Sequence, residues 1–166
     1  MKISSADPGP VREERELIEQ LPLHAAHALE LGCGNAGQTR LLARSGKFAS
    51  ILALEVDRTQ HARNLARDDL PSVRFGFGAA EDIPADDASI DAVFLFKSLH
   101  HVPVERLEQA FIEIRRVLVP GGLVYISEPI FDGDYNELLR LFHDEREVRA
   151  AALVQTCSSA RMTAFA

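Results

Sequence analysis

An acidic residue near the end of an apolar run, followed at once by glycines 32, 34 and 37, leaves the segment Leu29–Gly37 few ways to fold. Glycines at these spacings let a chain bend sharply and bring its backbone close to a ligand, with no Cβ in the way. The next residues, Gln38–Ser45, carry Leu41, Leu42 and Ala43 in a helical pattern, and Gly46 suits a helix C-cap. A strand, a glycine bend and a helix in that order describe the opening unit of a parallel α/β sheet. Ligands of such sheets bind beyond the carboxyl ends of the strands. Glu30 belongs to that place, because a carboxylate at the end of a buried strand calls for a partner that repays its desolvation.

The rest of the chain keeps the same rhythm. Residues 11–20 are charged, with sparse apolar positions Val11, Leu17 and Ile18, and read as a short surface helix that Pro22 ends. Ile51–Leu54 is a continuous apolar run, suited to a strand covered on both faces. A helix begins at Asp57 or Thr59, and Pro71 stops it. Val73–Phe77 alternates as a strand, and Ile90–Phe96 is another buried one. Pro103 suits a helix N1 position, and the helix after it sets Leu107, Ala110, Phe111, Ile114 and Val117 on one face. Pro120-Gly121-Gly122 reads as a turn before a fifth strand, Leu123–Ile126. Asp134 with Glu137 resembles a capping box, and Leu138, Leu141, Phe142 and Val148 form the stripe of a last helix over 134–154. Residues 155–166 read as an irregular tail. Alternating strands and helices predict one doubly wound, Rossmann-like domain over 1–166, mostly parallel, with helices on both faces.

Composition narrows the function classes. A formal net charge of −7 works against non-specific nucleic-acid binding, which depends on neutralising phosphates, and no basic run overrides it. No apolar run approaches the roughly 20 residues needed to cross a bilayer. The amino terminus lacks the apolar core of a signal peptide, so the chain reads as cytoplasmic. Two cysteines, Cys33 and Cys157, build neither a disulfide framework nor a metal cluster. A small-molecule partner, with no nucleic acid and no membrane, is the expectation.

Gly32, Gly34 and Gly37 also spell the dinucleotide fingerprint, so nicotinamide or flavin binding has to be weighed. Glu30 opposes it. Two residues before the first glycine, it would face a pyrophosphate with a like charge in a low-dielectric pocket. The later motifs point away as well. Leu29–Gly34, Ala53–Asp57, Gly78–Pro84, Ser89–Val93, Leu99–Val102 and Leu118–Gly122 occur in an order, over residues 28–130, that resembles the class I S-adenosylmethionine-dependent methyltransferases of the type 11 group.

That resemblance implies S-adenosylmethionine as cofactor and a small-molecule methyl acceptor. It implies cofactor contacts from Glu30, Gly32, Cys33, Gly34, Glu55, Val56, Ala80, Glu81 and Phe96. Glu30 would compensate the cationic methionyl end, and the amides of the Gly32–Gly34 bend would meet its carboxylate. Glu55 would accept from both ribose hydroxyls, with Asp57 as the alternative acid, although Asp57 also suits an N-cap. Ala79 stands where the family usually has a carboxylate toward the adenine amino group, so Glu81 or Asp82 is left for that contact. Ala36 stands where the family often has glycine. Cys33 reads as a small filler of the tight turn.

No residue is assigned as catalytic. His100 and His101 lie where a general base would fit, or where one of them simply packs. Lys97 is expected to extend toward water or to pair with an acid. Glu128 would border the acceptor. Methylation of nucleobase or glutamine amino groups is disfavoured, because no Asn/Asp-Pro-Pro-Tyr sequence is present. The family normally continues past the fifth strand with a helix and two more strands, whose pattern is missing here. The open fifth-strand edge is then expected to pair with a second copy, to be covered by the tail, or to make the chain poorly soluble. Methyl transfer by in-line displacement is the first reading. A catalytically silent cofactor-binding domain acting as a regulatory or assembly partner is the second, and an NAD- or FAD-dependent oxidoreductase the third.

Overall fold

The computed structural model describes residues 12–66, 69–129 and 146–159, and, in the last helix, side chains at 147–152 and 154. Helix α1 (Glu14–Gln20) precedes strand β1 (Ala26–Leu31), helix α2 (Gly37–Arg44), strand β2 (Phe48–Glu55) and helix α3 (Arg58–Leu65). Strands β3 (Val73–Phe77) and β4 (Ile90–Phe96) come next, then two short 3₁₀ turns at Leu99–His101 and Val104–Arg106. Helix α4 (Leu107–Val117), strand β5 (Leu118–Ser127) and helix α5 (Arg146–Ser159) complete the described elements. The five strands form one parallel sheet in the order β3-β2-β1-β4-β5. The strand order reverses between β1 and β4, and that is where a crevice opens in such sheets.

Side-chain alternation sorts the core into two layers. Leu29 and Leu31, Leu52 and Leu54, and Val93 and Leu95 point to the face covered by Leu107, Ala110, Ile114 and Val117 of α4 and by Ala152 of α5. Ala28, Ile51, Ala92, Phe94 and Phe96 point to the other, under Ile18 of α1 and Leu42 of α2. Both faces being covered explains why β2 and β4 read as unbroken apolar runs. Phe94 anchors the second layer, with Phe48 edge-on at 5.5 Å, Phe96 stacked at 5.8 Å and Tyr125 tilted at 5.8 Å.

The local expectations meet their physical reasons here. Asp57 caps α3, its Oδ1 accepting from Gln60 N at 2.9 Å. Pro103 stands one residue before a 3₁₀ turn rather than at the start of α4, which begins at Leu107. Pro120-Gly121-Gly122 is not a turn ahead of the fifth strand but a bulge inside it. Ile90 pairs with Leu118 and Ala92 with Leu123, so residues 119–122 stand opposite Asp91 alone, with Gly121 at φ +82°. Helix α5 runs to Ser159, so residues 155–159 are helical rather than irregular. The capping box at Asp134 and Glu137 and the stripe through Phe142 lie outside the described residues. Among the described residues, no helix is long and apolar enough to cross a membrane.

Replacing Phe94 by alanine should lower the unfolding free energy by about 3–5 kcal/mol, since a buried aromatic side chain leaves a cavity that its neighbours fill only in part. Urea denaturation checks this, and a loss below about 1 kcal/mol would mean that the second layer can collapse around the gap.

Candidate functional site

The bend after β1 is held by the end of β2. Gly32 N and Cys33 N both donate to Leu54 O, at 3.0 and 2.9 Å, and Gly34 N donates to Glu55 Oε2 at 2.7 Å. The other oxygen of Glu55 accepts from Val56 N at 2.8 Å and Asp57 N at 2.9 Å. Three amides therefore occupy most of the roughly four acceptor positions of that carboxylate. The bend amides expected to meet a ligand carboxylate are engaged within the protein here. Glu55, expected to accept from two hydroxyls, has about one acceptor position left.

Asn64 was not singled out in the sequence, yet it ties α3 to the bend. Fully buried, it donates through Nδ2 to Gly34 O at 2.8 Å and to Cys33 Sγ at 3.5 Å. Ser98, likewise unmarked, donates through Oγ to Leu31 O at 2.7 Å. A single polar residue in a helix or turn carries no pattern that would single it out. Gly32 sits at φ +73°, and a Cβ there would meet Ser98 Cβ at 2.7 Å, so both backbone and space demand glycine. Ala36 caps α2 in the left-handed region at φ 63°, which accounts physically for glycine being an easy alternative there.

Around this bend lies a cleft of about 1030 Å³ at the carboxyl ends of the strands. Glu30, Gly32, Cys33, Gly34, Glu55, Val56, Ala80, Glu81 and Phe96 all line it, so the residues named from the sequence are brought together. Asp57, Ala79, Lys97, Ser98 and His101 line it too. Its far wall, Ala79–Glu81, is pinned through the segment just after it. Glu113 Oε2 accepts from Ile83 N at 3.0 Å, and Arg116 donates to Ile83 O at 2.9 Å and Ala85 O at 2.8 Å. Arg116 beside Glu113 holds that carboxyl below its ordinary range.

Glu30 is 1% exposed, and its Oε2 has no hydrogen-bond partner. Burial pushes its pKa up from 4.5 to about 7; the nearby Thr39 hydroxyl opposes the rise and the charge of Glu55 adds to it. The Thr39 hydroxyl does not itself reach good hydrogen-bond geometry with any group. Cys33 is buried, and burial first, then the charges of Glu30 and Glu55, push its thiol up to about 12. A protonated thiol packed in a turn is filler, not a nucleophile.

The two histidines part company. His100 is buried, with Nδ1 against Glu128 Oε2 at 2.5 Å, while Glu128 Oε1 accepts from Leu99 N at 2.7 Å. Glu128 therefore serves the turn after β4 and is not among the residues that line the cleft. His101, its ring centroid 4.1 Å from that of His100, does line the cleft. Among the described residues, no group of three His, Cys, Asp or Glu side chains stands close enough to hold a metal ion.

A glycine bend after β1, an acid closing β2 and a crevice where the strand order reverses define a doubly wound α/β domain with its ligand crevice at the carboxyl ends of the strands. The sequence profile of the methyltransferase domain matches residues 29–126, and the chain belongs to that family. An O-methyltransferase from Penicillium expansum is 32% identical over 117 residues, covering 67% of this chain and 41% of the relative. A trans-aconitate 2-methyltransferase from Variovorax paradoxus is 30% identical over 119 residues, covering 71% of this chain and 44% of that one. The YcgJ protein of Bacillus subtilis has the same fold, with a TM-score of 0.68 over 87% of this chain and 65% of its own, at 21% identity. The chain thus spans less than half the length of these two curated relatives.

Substitutions at Gly32 and at Glu30 probe this geometry. Gly32→Ala should destabilise the protein by roughly 1–3 kcal/mol, from left-handed strain and the contact with Ser98. Adding Ser98→Gly should recover part of that loss in thermal unfolding; no recovery would put the whole cost on the backbone. For Glu30, both folded and unfolded chains hold the proton below pH 4.5, and between 4.5 and about 7 the unfolded chain ionises first. The folded state therefore loses stability as pH rises through that window. Glu30→Gln should remove this slope and gain on the parent from pH 5 to pH 8, measured by denaturation without ligand. Parallel curves would mean that Glu30 ionises freely in the fold.

Proposed function

We propose that the cleft binds S-adenosylmethionine and that the chain transfers its methyl group to a small-molecule acceptor. The observation that carries this reading is Glu30, a buried carboxylate with an unpartnered oxygen in a cleft that Glu55 also lines. A cation beside Glu30 restores the ionised form that burial disfavours. Gly34, at φ +51° with nothing within 4 Å of where a Cβ would stand, leaves the bend bare for a flat or puckered ring system to approach. These features fit a nucleoside with a cationic amino-acid tail.

The cofactor, when bound, supplies a methyl carbon already activated by its sulfonium. The work left to the chain is to bind, orient and exclude water, which in favourable cases contributes about 7–11 kcal/mol to a rate. Glu55, fixed by three amides, keeps one acceptor position for a ribose hydroxyl. Val56, 57% exposed beside it, and Ala80 on the far wall provide apolar surface for the base, with Glu81 next to Ala80 for its amino group. Phe96, stacked on Phe94, stiffens the floor beneath the methionyl end. His101 stands on the wall beyond β4, at the acceptor side.

Relatives named as an O-methyltransferase and a trans-aconitate 2-methyltransferase support a small-molecule acceptor. The outer edge of β5, last in the strand order and without a strand partner among the described residues, supports pairing with a second copy.

Calorimetry with S-adenosylmethionine tests the reading directly. Glu55→Ala should weaken binding by about 10- to 100-fold, the worth of one charge-assisted hydrogen bond and a loosened bend. Asp57→Ala should cost less, because Asp57 caps α3. Equal losses, or no binding by the parent protein, would overturn the assignment.

A further inference from the structure

Residues 78–89 carry the chain from the end of β3 back to the start of β4 without forming a helix. Parallel strands are usually joined by one, and it covers the face that it crosses. Here Ala80 and Ile83 pack into the first core layer. The starts of β1, β2 and β3 keep a hollow of about 520 Å³, which Pro84–Asp86 and Ser89 also line. It lies at the amino ends of the strands, whereas the cleft described above lies at their carboxyl ends.

Strand register fixes what this face presents. Leu52 belongs to the first layer and Arg74 stands opposite it on β3, so the Arg74 side chain leaves the sheet on the same side. His27 and Ser50 stand opposite each other, two residues before Leu29 and Leu52, and share that side too. His27 Nδ1 and Ser50 Oγ lie 2.8 Å apart. Whichever of the two donates, one hydrogen is left over: the Nε2–H if the hydroxyl donates, the hydroxyl hydrogen if the ring does. Arg74 is exposed, and no acid pairs with it among the described residues. These three polar residues line the hollow together with apolar Leu52 and Ile90. A guanidinium meets a carboxylate through two parallel N–H···O bonds, and a spare neutral donor beside it adds a third. Asp86, the acid in the lining, sets the hollow against a second negative charge.

We propose that this hollow is a second ligand site, separate from the cleft, for a small organic monocarboxylate with an apolar body. Arg74 takes the carboxylate, the His27–Ser50 pair donates its spare hydrogen to it, and Leu52 and Ile90 receive the body. The site is independent of whatever the cleft binds, because the two share no lining residue but those of the strands' own length.

The test is calorimetry on the full chain with benzoate, its neutral isostere benzamide, and acetate, which lacks the apolar body. The parent should bind benzoate roughly 10- to 100-fold more tightly than benzamide, and acetate more weakly than benzoate. Arg74→Met should abolish the preference for benzoate, and Arg74→Lys should restore part of it. Because Arg74 is exposed and unpaired, both variants should melt at the temperature of the parent. Equal affinity for benzoate and benzamide overturns the site, as does a preference that survives Arg74→Met. A parent that does not bind benzoate overturns it as well.

Discussion

Everything at the site depends on the end of β2 holding the bend that comes after β1. The carbonyl of Leu54 and the carboxylate of Glu55 together take three consecutive amides, from Gly32 to Gly34. Without that grip, a loop containing two left-handed glycines and a left-handed alanine has little to oppose its conformational freedom. With it, the bend becomes a rigid floor, and the acids on either side of it are set at fixed places. Asn64 adds a second tether from α3, so that the loop is bound to two elements and not one.

The grip also divides the labour between the two acids. Glu55 is satisfied by backbone and acts chiefly as an anchor with one face left over. Glu30 is the opposite: buried, incompletely bonded and pushed toward neutrality. Two carboxylates in one cleft repel each other less if one is held by amides and the other waits for a positive partner. The same arrangement keeps Cys33 inert, since its thiolate would be a third negative charge in the same place.

Much of this was legible in the sequence, because hydrophobic periodicity and glycine spacing report directly on covered strands and tight turns. The Ile51–Leu54 and Ile90–Phe96 runs, the Leu107–Val117 face and the Asp57 cap each arise from local chemistry. The residues found to line the cleft were named from motif order. What escaped were pairings between distant parts. Nothing local says that Asn64 reaches Gly34, that Ser98 crowds Gly32, or that Glu128 turns to His100 rather than to the crevice. Pro120-Gly121-Gly122 misled for a related reason: its composition is that of a turn, but pairing on both sides of Asp91 keeps the chain in the sheet as a bulge.

The wall formed by Ala79–Glu81 belongs to no regular strand; Ala80 packs into the core, an isolated bridge joins Ala79 to Asp82, and further support comes through Ile83 and Ala85. Glu113 and Arg116 seize those two residues from α4, a helix whose buried face lies against one layer of the core. Wall and helix are thereby one mechanical unit. A guest pressing on that wall would push against the packed interior as well as a surface loop, so the stiffness of the wall is inherited from the tightness of a core layer to which Ala80 itself belongs.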